Sequence, residues 1–291
     1  MTNARPKVAL ATYERAPDLA PDDRPLARAL AARDIDATAA AWSSANTEWE
    51  SFDVVVLRSC WDYHLRLDEF LAWLDRVSRL YVSVLNSPVL VRWNADKRYL
   101  LDLAARGVPT VPTVVAEQQD ADAVYRAVDA GGWDKFVVKP AVSASGYETH
   151  LLTSLDEASR ATIERIVALG AVLVQPFLDE IARDGELSFT FIDGEYSHAT
   201  LKRARAGEFR VQTDHGGRSE ATQPAPQLVR EASRVVTSLP ETPLYARVDG
   251  VVQNDRLLLM ELELIEPNLF LHHRPGAPER LAGAIAGRLG R

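Results

Sequence analysis

The stretch Tyr245–Phe270, YARVDGVVQNDRLLLMELELIEPNLF, decides the reading of this chain. Leu244–Val252 can form one strand and Arg256–Ile265 its partner, turned at Gln253-Asn254-Asp255, so the segment predicts a β-hairpin. Glu261 and Glu263 are separated by a single residue, and the alternation of a strand puts both carboxylates on one face. They stand among Leu257, Leu258, Leu259, Met260, Leu262 and Leu264, which favour burial. Two like charges buried side by side are costly unless a cation lies between them. Asp249 on the partner strand can close the cluster from across the hairpin, and Arg247 faces the same way as Asp249. All these ligands are oxygen, with no thiol nearby, which suits a hard cation such as Mg²⁺. The plainer alternative is a solvated face of an antiparallel sheet, and the hairpin alone leaves both readings open.

The rest of the chain narrows the choice. With 291 residues, 47% of them hydrophobic, it can bury a large core and divide into two or three lobes. The net charge of −8 and the lack of a basic stripe argue against a nucleic-acid partner. A single cysteine forbids an internal disulfide and fits a reducing compartment. The N-terminal run Val8–Ala11 is too short for a signal peptide, and no segment approaches the length of a membrane span. The expectation is a soluble, cytoplasmic protein.

Towards the N-terminus, strands are expected at Lys7–Thr12, Ile35–Ala41 and Phe52–Leu57, with a helix after Asp23 as its cap and another over Leu67–Arg79. Strands alternating with helices predict a small parallel α/β lobe, residues 1–92. Loops at the carboxyl ends of its strands, Tyr13–Arg24 and Arg58–Tyr63, stand where open parallel sheets bind ligands. Arg58 could pair with a substrate carboxylate and Asp62 with an ammonium, with Tyr63 beside them; the alternative is that Arg58 and Asp62 pair with each other.

A second lobe, residues 93–178, begins with a helix capped by Asn94 and stopped at Gly107. It continues through a Pro-containing edge strand over Val108–Val115 and a helix over Asp120–Ala130. The strand Lys135–Lys139 leads into the small-residue loop 140–146; a helix over Ser154–Leu169 and the strand Ala171–Phe177 follow. The third lobe, residues 179–291, carries strands at Glu186–Ile192 and Glu195–Lys202, a glycine-containing loop over Ala206–Gly217, a helix over Gln227–Ser238, the hairpin, and a closing helix over Glu279–Leu289.

The ordered set of words RSCWDY, WNADKRYL, VVKPAVSAS, VQPFL, GELSF, FRVQTDHGG, LYARVDGVV and MELELIEP resembles the ATP-grasp superfamily of carboxylate–amine ligases, over nearly the whole chain. Within it the words are most similar to the branch that contains the D-cycloserine-forming ligase of antibiotic biosynthesis. The resemblance implies an α/β (α+β) three-lobe ATP-grasp architecture: a parallel N-terminal lobe, a central β/α lid lobe and a mainly antiparallel C-terminal lobe with the metal site. It implies ATP and Mg²⁺ (or Mn²⁺) as cofactors, and as partners a small amino-acid-like carboxylate and an amine; homo-oligomers are among the assemblies it allows.

It also implies roles. Lys97 and Lys139 reach the phosphates, and Ser143, Ser145 and Gly146 offer backbone N–H groups to them. A lysine ending the apolar strand FVV is independently costly without an anion. Gln175, Phe177 and Leu178 meet adenine and Glu180 the ribose. Glu186, Lys202 and Arg210 stand in segments where relatives place further nucleotide contacts. Arg247 stabilises the transferring phosphoryl group, and Asp249, Glu261 and Glu263 hold the metal. Many members end in Glu-x-Asn at the position of Glu261-Leu262-Glu263, so Glu266 or Asn268 could replace one of the glutamates as metal ligand.

The activity implied is an ATP-dependent, ADP-forming ligation through an acyl phosphate, between two molecules or within one. A small-molecule kinase on the same fold is the nearest rival, and an inactive nucleotide-binding regulator the next. An NAD-dependent oxidoreductase is disfavoured, because no G-x-G-x-x-G follows the first strand. The histidines lack a zinc-like spacing with cysteine, and Cys60 has no evident base beside it, so it reads as a packing residue.

Overall fold

A computed structural model describes residues 5–212 and 215–289. Asp214 of the glycine-containing loop therefore lies outside the described residues. Among the described residues no helix is long and apolar enough to cross a membrane.

Three sheets organise the chain, and each lies within one of the expected lobes. The first is parallel, in the order β2-β1-β3-β4, from β1 (Lys7–Thr12), β2 (Asp36–Ala41), β3 (Val54–Leu57) and β4 (Ser83–Leu85). β1 and β3 read as near-continuous apolar runs because helices cover both faces. On one face, α2 (Leu67–Arg79) brings Phe70, Trp73 and Leu74 against Trp42 and Trp49. On the other, α1 (Asp23–Ala31) packs with the C-terminal helix Ala277–Ala286, so the two ends of the chain share one core.

The second sheet is antiparallel, in the order β5-β8-β6-β7, from β5 (Val114–Ala116), β6 (Phe136–Pro140), β7 (His150–Leu152) and β8 (Val172–Pro176). Its helices are α5 (Ala121–Gly131) and α6 (Glu157–Leu169). Each starts on an aspartate whose side chain accepts from a first-turn amide, Asp120 from Ala123 and Asp156 from Ser159.

The third sheet, β11-β10-β9-β12-β13, is antiparallel: β9 (Glu186–Ile192), β10 (Glu195–Arg203), β11 (Arg218–Thr222), β12 (Tyr245–Gln253) and β13 (Arg256–Glu263). The hairpin β12–β13 turns at Asn254 and Asp255, both at positive φ. The register sets Asp249 opposite Glu261 and Arg247 opposite Glu263. A bulge at Met260, beside Gly250, bends the strand; a Cβ on Gly250 would fall 2.4 Å from the Leu258 carbonyl oxygen.

Several local expectations need correction. Asn94 is not an N-cap: it ends a short helix, α3 (Pro88–Asn94), and its amide bonds Leu262 O at 2.7 Å and Leu264 N at 2.8 Å, as a strand neighbour would. The next helix, α4, starts only at Tyr99 and runs to Ala105. Leu90, Tyr99, Leu100 and Leu103 from these helices pack in the core of the third sheet, which Leu173 of β8 also enters. Asp23 does not cap α1 either; its side chain turns inward to Arg58. β4, β7 and β11 are not expected from the sequence, because β4 and β7 are three residues long and β11 is a polar edge strand with mostly exposed side chains.

Candidate active site

A cavity of about 530 Å³ opens where the three sheets meet. Its size and mixed lining fit a nucleotide-sized ligand. One end is largely apolar: Val111, Phe177, Leu178, Ile181, Phe209, Val211 and Met260 line it. Gln175, also in the lining, is held by a 2.9 Å bond from its Nε2 to Thr113 Oγ1. Met260 reaches this wall as the bulged residue of β13, a feature that strict alternation in the sequence could not show.

The middle of the cavity is a network of paired charges. Lys97 is buried between Glu261 Oε1 at 2.9 Å and the Ser143 carbonyl oxygen at 2.6 Å. It thus bridges β13 and the loop after β6. Lys202 reaches Glu186 at 2.5 Å and Asp249 at 2.9 Å. Arg247 binds Asp249 through Nε and Nη2 and also contacts Glu263. Ser188 Oγ donates to Asp249 at 2.7 Å. The four lone-pair sites of Asp249 are therefore all taken by protein donors.

Electrostatics follow from these pairings. Burial pushes Asp249 up, but Arg247 and Lys202 outweigh it and hold the carboxyl below its ordinary range. Glu261 is likewise lowered: burial opposes, while Lys97 and Lys139 prevail. Glu263 goes the other way, to about 7, because burial and the neighbouring Glu261 and Asp249 exceed the pull of Arg247. Burial also raises Glu186, against the pull of Lys202.

Two charged side chains in the lining have no ionic or hydrogen-bonded partner among the described residues, Lys139 and Glu266. Burial pushes the Lys139 ammonium down; the more distant attraction of Glu261 opposes this without reversing it, and the repulsion of Lys97 adds to it. Burial and the nearby Glu263 push the Glu266 carboxyl well up.

Beside Lys139, the loop with Ser143, Ser145 and Gly146 lines the cavity, with Ser145 and Gly146 both left-handed. Gly146 lies against the opposite loop: a Cβ there would stand 3.3 Å from Arg210 Cδ and 3.4 Å from His215 Nε2. Arg210 also lines the cavity, but its guanidinium is held by Glu208 at 2.8 and 3.1 Å.

The expectations for substrate and ribose contacts fare differently. Tyr63 lines the cavity, but Arg58 and Asp62 do not. Arg58 is 2% exposed; its Nε donates to Asp23 at 2.8 Å, its Nη2 donates to Pro267 O at 3.1 Å, and it lies over the Tyr245 ring at 5.0 Å. Asp62 accepts from Trp42 Nε1 at 2.7 Å and from Arg66 Nη2 at 2.7 Å. These contacts correct the reading of both residues, and they do not pair with each other. Glu180 lies outside the lining, where Gln253 Nε2 donates to it at 3.3 Å. Cys60 is buried, its thiol against the Ala11 carbonyl oxygen at 3.5 Å, in keeping with a packing role.

As for the metal, Glu261 and Glu263 each use only Oε1 in their ion pairs, which leaves each a second oxygen. Among the described residues no group of three His, Cys, Asp or Glu side chains is gathered as a ready cage. The donor chemistry fits a hard cation that keeps most of its own water.

Comparisons with known proteins identify the fold and the family. Residues 104–267 match the family described as prokaryotic glutathione synthetase, ATP-grasp domain, and residues 8–86 match the N-terminal domain of D-cycloserine synthetase DcsG. The chain is 37% identical over 282 residues to the cycloserine biosynthesis protein DcsG of Streptomyces lavendulae, covering 92% of this chain and 94% of that protein. The crystal structure of D-cycloserine synthetase DcsG superposes with a TM-score of 0.88 at 32% identity, covering 97% of this chain and 99% of that one. A D-alanine–D-alanine ligase from Bacillus anthracis shares the fold alone, with a TM-score of 0.70 at 14% identity over 97% of this chain and 96% of that one. The chain belongs to the ATP-grasp family and is an ATP-dependent ligase.

Proposed function

We propose that this ligase activates a small amino-acid-like carboxylate as an acyl phosphate and joins it to an amine, and that the amine belongs to the same molecule, so that a ring closes. The observation that carries the reading is Lys139: an unpaired ammonium facing a cavity whose other lysines and Arg247 are already paired with acids. A cation left without a partner in a desolvated site calls for an anion from the ligand. The 37% identical cycloserine biosynthesis protein supports a ring-forming reaction in antibiotic biosynthesis.

In this account the apolar end around Gln175, Phe177 and Leu178 receives adenine. Lys97, Lys139, Lys202 and the backbone of Ser143–Gly146 receive the phosphates. The substrate carboxylate oxygen attacks the γ-phosphorus, and ADP leaves. The amine nitrogen then attacks the acyl carbon, a C–N bond forms, and inorganic phosphate departs. Arg247 neutralises the phosphoryl oxygens through both steps, and the chain supplies position and charge rather than a covalent nucleophile. Glu261 and Glu263 would hold Mg²⁺ or Mn²⁺, whose role is to neutralise phosphate charge. Asp249 serves mainly to hold Arg247 and Lys202. The three lobes are read as separate bodies with boundaries near 92 and 178, and the second as a lid over the nucleotide.

The test is an ADP-release screen over amino acids and related carboxylates, with and without added amines. A ring-forming ligase releases ADP with one bifunctional substrate and yields a product lighter by one water. A kinase would instead accumulate a stable phosphorylated product.

A further inference from the structure

Glu266 is the negative counterpart of Lys139. It follows β13 at the point where the chain leaves the third sheet, and it lines the cavity with Trp61 and Tyr63 near it. Every other acid in the lining is paired: Glu186 with Lys202, Glu261 with Lys97 and Glu263 with Arg247. The Glu266 carboxylate has no hydrogen bond or ion pair among the described residues.

Its backbone, in contrast, is firmly held. Tyr245 OH, whose single proton is shared with Leu57 O, reaches Ile265 O at 2.9 Å, Trp61 Nε1 donates to Glu266 O at 3.2 Å, and Arg58 Nη2 donates to Pro267 O at 3.1 Å. Three successive carbonyl groups are thus clamped, two of them by the loop after β3. Such pinning aims the side chain at a fixed place and limits its retreat to water.

We propose that Glu266 is the specificity-determining residue that receives the primary ammonium group of the substrate. This rests on the proposed action on an amino-acid-like carboxylate. A half-buried carboxylate without a protein cation is satisfied by a ligand cation, as Lys139 is by a ligand anion. The walls decide which cation. Trp61 and Tyr63 line the same cavity with rings, which suit an ammonium group. The hard cation of the proposed reaction already has the free oxygens of Glu261 and Glu263, so it does not require Glu266. Arg58 then acts as a positioning residue, through Pro267.

The probe pair is serine against glycerate, in both enantiomers, which differ only in an ammonium replaced by a hydroxyl. Binding is measured by calorimetry on the full chain for wild type, Glu266→Gln and Glu266→Asp, with ATP titrated in parallel as a check on folding. Wild type should prefer one serine enantiomer over the matching glycerate by about tenfold or more, the scale of one charge-assisted contact. Glu266→Gln should erase that preference, Glu266→Asp should keep part of it, and ATP affinity should be unchanged in both. A preference that survives in a folded Glu266→Gln overturns the assignment and leaves the ligase reading standing. A Glu266→Gln defect in Mg²⁺ affinity with the preference intact overturns it in favour of a metal ligand. A wild type without any preference also overturns it, and the ADP-release screen then shows whether the wider reading falls with it.

Discussion

Arg58 and Lys139 are both cations at the ends of apolar strands, and the sequence suggested a ligand for each. Arg58 closes β3 of the first sheet, is 2% exposed and has Asp23, Pro267 and the Tyr245 ring around it. Lys139 lies near the end of β6 in the second sheet and faces the cavity with no partner among the described residues. The difference teaches how to separate two meanings of a desolvated charge. A charge that lies off the cavity with its counter-ion supplied by the chain belongs to the architecture; one that faces the cavity without any ion pair marks a place for a ligand.

Breaking the Arg58 pair should give the largest effect, and on stability. Arg58→Ala leaves Asp23 buried and uncompensated, and burial already pushes that carboxyl up against the pull of Arg58. The expected loss is about 3–5 kcal/mol of unfolding free energy, read by urea denaturation. Asp23→Asn should lose a similar amount, and the double variant less than the sum.

Lys139→Ala should do the reverse. With no protein partner to strand, its unfolding midpoint should stay near wild type, while turnover falls by about 10²-fold or more, the scale of one preorganised charge contact. Steady-state ADP release on a folded variant reads it; near-normal turnover would remove Lys139 from the site.

Glu263 sharpens the contrast through pH. Its folded carboxyl is raised to about 7 from an ordinary 4.5, so its protonation favours the folded state. That contribution is complete below about pH 4.5 and is lost as pH rises towards about 7. Thermal melts across this window should therefore show a component of stability that falls with rising pH, and Glu263→Gln should flatten it. An unchanged profile would mean that Arg247 keeps Glu263 ionised throughout.

Asp62 should give the smallest effect. Asp62→Ala strands the indole N–H of Trp42, which is 1% exposed, at a cost of about 1–3 kcal/mol. Substrate KM should not move, because the side chain is turned away from the cavity; a large rise in KM would restore it to the site.

These cases show what the sequence could convey. Alternation in the hairpin correctly put Arg247, Asp249, Glu261 and Glu263 together, because a paired strand turns periodicity directly into a face. The ordered words led to the family, and the alternation of strands and helices to the parallel first sheet. Pairing between distant segments was not legible. Nothing local says that Asp23 meets Arg58, that Asn94 bonds β13, or that Lys97 spans to Glu261. Glu266 was legible only as an alternative metal ligand, because its lack of an ion pair or hydrogen bond is a fact of tertiary structure. The bulge at Met260 was hidden for a similar reason: an extra residue in one strand leaves no mark in composition.

The most direct test of the central claim is an equilibrium titration of ATP with magnesium against folded Lys139→Ala and Arg58→Ala, with urea denaturation of each in parallel. The account predicts a double dissociation: Lys139→Ala keeps its stability and loses nucleotide affinity, while the folded fraction of Arg58→Ala loses stability and binds ATP within a few-fold of wild type. Arg58→Ala losing ATP affinity while Lys139→Ala keeps it would contradict the assignment of one cation to architecture and the other to the ligand.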